Sequence, residues 1–301
     1  MPPRKRTALL GVSLGALIGF TPADFQGFIY PASIDAPADE GGCKTRPRQE
    51  HTPSSANSWV EIADSENEGS AGESGEAGEA GEDGGGPLAA FAPEARIAFG
   101  LMMIRAHLHA ALTLMEAQPE VAGSPHLHHP LAELFPQFSA DLAPEAARQL
   151  KASLEAPVDA LSGPDPRNQS LARAGETLNG VTAFLEKSLW WKTAGAGDIH
   201  QAILILVAKA TEEYGKGVGE GKIADAEEYQ DAIGLVGEAR RIFADRKGVL
   251  AAKDSDAAET LGAVFDDLPA EDFTLPEQAP VSSNAMLAAL SKIELLAGRF
   301  H

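Results

Sequence analysis

Residues 104–133, IRAHLHAALTLMEAQPEVAGSPHLHHPLAE, decide how the rest of the chain is read. Ile97, Leu101, Ile104, Leu108, Ala111 and Met115 recur three and four residues apart, the spacing that lines one face of an α-helix. Pro93 and Glu94 suit its first turn and Gln118-Pro119 its end, so the period predicts a core helix. The second half of the stretch is different in kind. Five of the chain's eight histidines fall within residues 104–133, and the run closes on an acid, Glu133.

Toward the C-terminus the helical period repeats, and no segment reads as a strand. A break over 122–125 precedes a short segment from Pro130 to Phe135 that Pro136 interrupts. Pro144 and Glu145 open a helix with Ala147, Leu150, Leu154, Val158 and Leu161 on one face, in which Pro157 should force a kink or an early end. Leu171, Ala174, Leu178, Val181 and Leu185 mark the next helix, which runs out at Trp190-Trp191. Asp198 suits the N-cap of an apolar helix carrying Ile199, Ile203, Leu206, Ala210 and Tyr214. After a glycine-rich loop, Asp225 reads as an N-cap with Glu228 as its capping-box acid, and Tyr229, Ala232, Val236, Ala239 and Phe243 as the buried face. Asp256 to Leu268 makes a shorter helix, and Asn284 caps a last one with Met286, Leu287, Leu290, Ile293 and Leu296. Six or seven helices joined by short turns predict an all-α, up-and-down helical bundle over residues 88–301.

Toward the N-terminus the grammar is that of export. Arg4, Lys5 and Arg6 precede an apolar run from Ala8 to Phe20, which at 1.5 Å per residue covers about two thirds of a ~30 Å hydrocarbon core. Residues 1–22 therefore read as a signal peptide, or as a signal anchor since no clean small-residue cleavage site follows Phe20. No second apolar run looks long enough to cross a bilayer, so no membrane insertion is expected beyond that signal. Residues 23–87 read as a disordered tether: 61–83, EIADSENEGSAGESGEAGEAGED, carries nine acids and no base, and cannot bury enough apolar surface to offset its ordering entropy.

The formal charge of −20 opposes approach to phosphate backbones and anionic lipid heads, which argues against nucleic acid as a partner. Cations and basic proteins fit better. The single cysteine, Cys43, excludes an intrachain disulfide and any C-x-x-C site, and its polar, glycine-rich setting is not that of an activated nucleophile.

The candidate chemistry is metal binding by His107, His126, His129 and Glu133. His129 and Glu133 are four apart, a spacing at which a helix presents imidazole and carboxylate together. Imidazole with carboxylate suits iron, copper or zinc better than calcium. The donors converge if the first two helical segments fold back on each other. The same residues also fit a metal-free account, with His129 before a helix start and Glu133 favoured by the helix dipole. Glu212 and Glu213, set against Glu227 and Glu228, form a second acidic group that reads either as a carboxylate site or as caps and a solvated face. His109 and His128 fall on other faces, where solvation is expected, and Trp190 and Trp191 read as packing or as a docking patch. No activated nucleophile or paired base points to an enzyme.

The motifs IRAHL, H-x-x-H-P-x-x-E (His126, His129, Pro130, Glu133), EEYGKGVGEGKIADAEEYQD and SKIELLAG together resemble a group of uncharacterised bacterial exported all-helical proteins, over roughly residues 96–298. The part from Glu213 to Phe243 is also similar to the extracytoplasmic N-terminal region of high-affinity iron permeases. The resemblance implies an all-helical periplasmic domain and tilts the metal toward iron. The positions it carries over are His107, His126, His129, Pro130, Glu133, Tyr214, Gly221, Glu228, Tyr229 and Glu294. It does not extend to the permease's membrane domain with its paired R-E-x-x-E helices. It therefore implies a non-catalytic accessory of metal uptake or homeostasis with an envelope or inner-membrane protein as partner, against the alternative of a structural module of the envelope.

Overall fold

A computed structural model describes residues 88–117 and 125–301. The expected signal, the acidic tether and Cys43 lie outside the described residues, as does most of the break before Pro125. What is described is all-α. Helix α1 spans Pro93–Ala117, and a 3-10 turn at Pro125–Leu127 and a π-helical turn at Pro130–Leu134 lead into the short α2, Phe135–Phe138. Pro136 does not stop the chain's helical course but falls where the π-helical turn gives way to α2, in the first turn of that helix.

Helices α3 (Pro144–Ala160) and α4 (Pro166–Lys187) form a hairpin, followed by the single turn α5 (Leu189–Thr193). Pro157 lies inside α3 without ending it. Its lack of an N–H removes the bond to the carbonyl of Ser153, and Thr177 of α4 supplies the missing donor at 2.7 Å. Ser170 likewise donates to the carbonyl of Pro157 at 2.8 Å. The neighbouring helix thus completes what the proline leaves open, a long-range repair with no local sequence signal.

Helix α6 (Ala196–Gly217) and α7 (Ala226–Lys253) are joined by a minimal antiparallel ribbon, β1 (Val218–Gly219) and β2 (Lys222–Ile223), where the sequence suggested only a loop. Its two-residue turn holds Glu220 and Gly221 at φ 52° and 75°, the left-handed pair of a tight hairpin. Asp198 is not the N-cap of α6. Gly195 takes that place, and the Asp198 carboxylate in the first turn accepts its N–H at 2.9 Å. Asp225 does cap α7, accepting from the N–H groups of Glu227 and Glu228.

Helix α8 (Ser255–Val264) and a 3-10 turn at Phe265–Asp267 lead to α9 (Ser283–Leu295) and the short α10 (Ala297–Phe300). The cap of α9 is Ser282, whose hydroxyl accepts from Ala285, and Asn284 is the second residue of the helix. Among the described residues, seven helices run to ten residues or more, in line with the expected bundle.

The hub is α1, packed against both α4 and α7, while α6 and α7 pair along their lengths and α9 covers α6. Buried residues lie on every side of α1, from Ala98 through Met115. Contrary to the sequence expectation, α1 is long and apolar enough to cross a bilayer by length and mean hydropathy alone. That apolar surface is 78% buried against the rest of the protein, as befits a core helix.

Candidate metal centre

Four side chains from three stretches of chain meet between α1 and α7. His107 comes from α1, His126 from the 3-10 turn, His129 from the N-cap of the π-helical turn, and Asp231 from the first half of α7. One ligand atom from each lies within 4.8 Å of all the others. Nδ1 of His126 is 2.6 Å and Nδ1 of His107 2.8 Å from Asp231 Oδ1, and Nδ1 of His129 is 2.9 Å from Oδ2. His107, His126 and Asp231 are buried, and the His129 side chain is 20% exposed.

Close approach of α1 and α7 makes this meeting possible. Gly234 packs against α1 so tightly that a Cβ there would stand 2.9 Å from the Ala106 carbonyl oxygen. His107 follows Ala106, and Asp231 lies about one turn before Gly234. The buried Phe138 and Leu134 anchor the segment that carries His126 and His129 to the same core.

Hydrogen bonding fixes the chemical form of His126. Gln230 Nε2 donates to the Phe273 carbonyl at 3.3 Å, which turns Gln230 Oε1 toward His126 Nε2 at 3.2 Å. Nε2 must then carry a proton. Nδ1, facing Asp231 at 2.6 Å, is left with two options: a second proton, or a lone pair directed at a cation shared with the carboxylate. His107 Nδ1 is buried and makes no aligned hydrogen bond despite its 2.8 Å separation from Asp231.

Electrostatics favour cations throughout. Burial alone would push the Asp231 carboxyl up, but the charge and the hydrogen bond of His107, with the hydrogen bonds of His126 and His129, outweigh it and hold Asp231 far below the usual carboxylate range. The bond to Asp231 raises His129 to about 9 against the opposing effect of burial, and the charges of Asp231, Glu133 and Glu227 add to the rise.

Of the four sequence candidates, the structure gathers His107, His126 and His129. Glu133 stays at the rim, its side chain 65% exposed and 3.9 Å from His129 Nε2. On that outer side Glu227 comes closer, at 2.8 Å. Asp231 takes the inner place that sequence reasoning gave to Glu133. The available signal was an acid placed directly before the apolar run AIGLV of a helix buried on most sides, since a buried carboxylate requires a partner.

The other candidates have structural places. Glu213 and Glu228 do face each other across α6 and α7. The bond to Glu213, then burial, pushes Glu228 up to about 7. For Glu213, the bonds from Glu228, Lys209 and Lys216 overcome the upward effect of burial and bring it down to about 2. His109 is half-buried rather than solvated, and burial, then Arg241 and Arg105, push it down to about 4. Trp190 packs edge-on to Phe99 at 5.5 Å, and the Arg246 guanidinium covers Trp191 at 4.8 Å.

Residues 196–294 match the family of the iron permease-associated 4-helix bundle domain. That span holds α6, α7, α8 and α9, and so includes Asp231, Gln230 and Glu227, while the three histidines lie before it. No curated protein and no solved structure matches the chain.

Proposed function

We propose that this protein is a non-catalytic accessory of iron uptake or homeostasis that binds one transition-metal ion through His107, His126, His129 and Asp231. The observation that carries the reading is His126: Gln230 holds its Nε2 as a donor, so its Nδ1 is aimed at the Asp231 carboxylate in the manner of a ligand with its outer hydrogen bond already made. The match over residues 196–294 tilts the ion toward iron and the partner toward a permease of the inner membrane. A periplasmic site of action follows from the signal-like N-terminus, whether or not it is cleaved. Copper and zinc are accommodated by the same donors.

Loading requires small movements. Bonds of about 2.1 Å from nitrogen and oxygen to one tetrahedral ion set those two atoms roughly 3.4 Å apart, so the present contacts must open by under about 1 Å. His129, the one donor that is partly exposed, has the most room to give.

The alternative of a metal-free envelope scaffold called for histidines pointing apart and for Trp190 and Trp191 or another apolar patch to be exposed; Leu287 and Leu295 of α9 do stand exposed. The convergent imidazoles and the covered Trp190 and Trp191 weigh against it. The experiment is metal analysis of the full-length protein beside His126→Ala and Asp231→Asn. One ion per wild-type chain, lost in both variants, is the expected result. Equal metal content in all three sinks the proposal.

A further inference from the structure

The donors of the pocket also constrain the charge of the ion. Three imidazoles are neutral when they ligate, and Asp231 supplies the pocket's one anion. The other carboxylates nearby are not directed into it. Glu227 sits on the far side of the His129 ring, against Nε2, while Nδ1 faces inward. Glu133 is exposed at the rim, and Glu213 is engaged by Lys209 and Lys216. Deeper in, Glu238 is buried and paired with Arg105 at 3.4 Å and Arg241 at 3.0 Å, so it adds no free negative charge. Of the described tyrosines, Tyr214 donates to the Val281 carbonyl and Tyr229 packs against the Tyr214 ring at 5.8 Å.

A bound divalent ion therefore leaves one uncompensated positive charge in a buried pocket, and a trivalent ion leaves two. A trivalent iron is also a harder acid that prefers several anionic oxygens, which this ring of nitrogen donors withholds. Building on the metal-binding reading above, we propose that the site selects divalent over trivalent cations, so that its iron form is ferrous.

The test uses full-length protein stripped of metal and kept free of oxygen. Co(II), whose visible absorption reports the ligand set, is titrated to saturation, Fe(II) is tested by competition, and Ga(III), a redox-inert trivalent ion, is offered as its nitrilotriacetate complex. Co(II) and Fe(II) are expected to bind at one per chain, and an about hundredfold excess of Ga(III) should leave the Co(II) spectrum unchanged. His129→Glu, which adds a second carboxylate, should admit Ga(III), and circular dichroism checks that the variant is folded. Displacement of Co(II) by equimolar Ga(III) in the wild-type protein overturns the charge selection while leaving metal binding intact. So does a folded His129→Glu variant that still refuses Ga(III). Failure of every ion to bind overturns the metal-binding reading itself, and this inference with it.

Discussion

Two glycines on one helix should respond in opposite directions to the same substitution. At Gly234 a Cβ would stand 2.9 Å from the Ala106 carbonyl oxygen and 3.5 Å from Ala110 Cβ, about 0.5 Å inside ordinary contact with a backbone atom that cannot rotate away. Overpacking of that kind costs about 1–3 kcal/mol, and alanine's better helix propensity returns about 1 kcal/mol. The net expectation for Gly234→Ala is a loss of about 1 kcal/mol, or roughly 2–4 °C in Tm for a domain of this size. At Gly248, also in α7, a Cβ meets nothing within 4 Å, so Gly248→Ala has only the propensity gain and should stabilise by up to about 1 kcal/mol. Urea unfolding of the two variants beside wild type reads the difference directly. Co(II) titration adds a second reading, since parting α1 from α7 moves His107 from Asp231. Gly234→Ala should weaken Co(II) binding, and Gly248→Ala should leave it unchanged. Equal stabilisation by both substitutions, with unaltered Co(II) affinity, would refute the close crossing on which the centre depends.

Removing the acceptor that orients His126, by Gln230→Leu, should weaken Co(II) binding by about 10–100-fold, a range typical of residues that orient a metal ligand; an unchanged titration curve would count against that role. Because a proton and a metal compete for His129, which Asp231 holds up at about 9, Co(II) affinity should rise steadily between about pH 6 and 8, and a flat profile would exclude His129 as a ligand. Thr177→Val should cost about 1–2 kcal/mol by stranding the Ser153 carbonyl. In a Pro157→Ala background, where the helix makes its own bond, most of that loss should vanish, and additive losses in urea would contradict the repair. Glu228, raised to about 7 in the folded chain, keeps a proton that the unfolded chain releases near 4.5, so this group removes stability as pH climbs through that window. Glu228→Gln should flatten that fall, and parallel wild-type and variant curves would discount the shared proton.

The helices were legible because each stripe repeats within a few residues, as with Ile104, Leu108 and Met115 of α1. Three of the four centre residues were legible for a related reason: histidines crowded into 104–133 are conspicuous against an apolar run. Asp231 was not, since it lies about a hundred residues further on and its partners are set by the crossing of α1 and α7. Glu133 was favoured by its spacing from His129, yet the ring turns its Nδ1 inward to Asp231 and leaves Glu133 on the wet side. Local rules also misjudged Pro157, Asp198 and Asn284. In the first case α4 supplied the missing donor, and in the others a neighbouring residue with extended backbone took the cap.

Since only Asp231 among the four donors belongs to the span shared with the iron permease-associated bundle, kinship in that span does not transmit the pocket. A relative that kept α6 to α9 but replaced α1 and the turn behind it would inherit a bare acid on an uncovered helix. On the proposed reading, selection for holding an ion would act on the seam between the two portions, and exchange of the leading helix alone would add or remove the pocket.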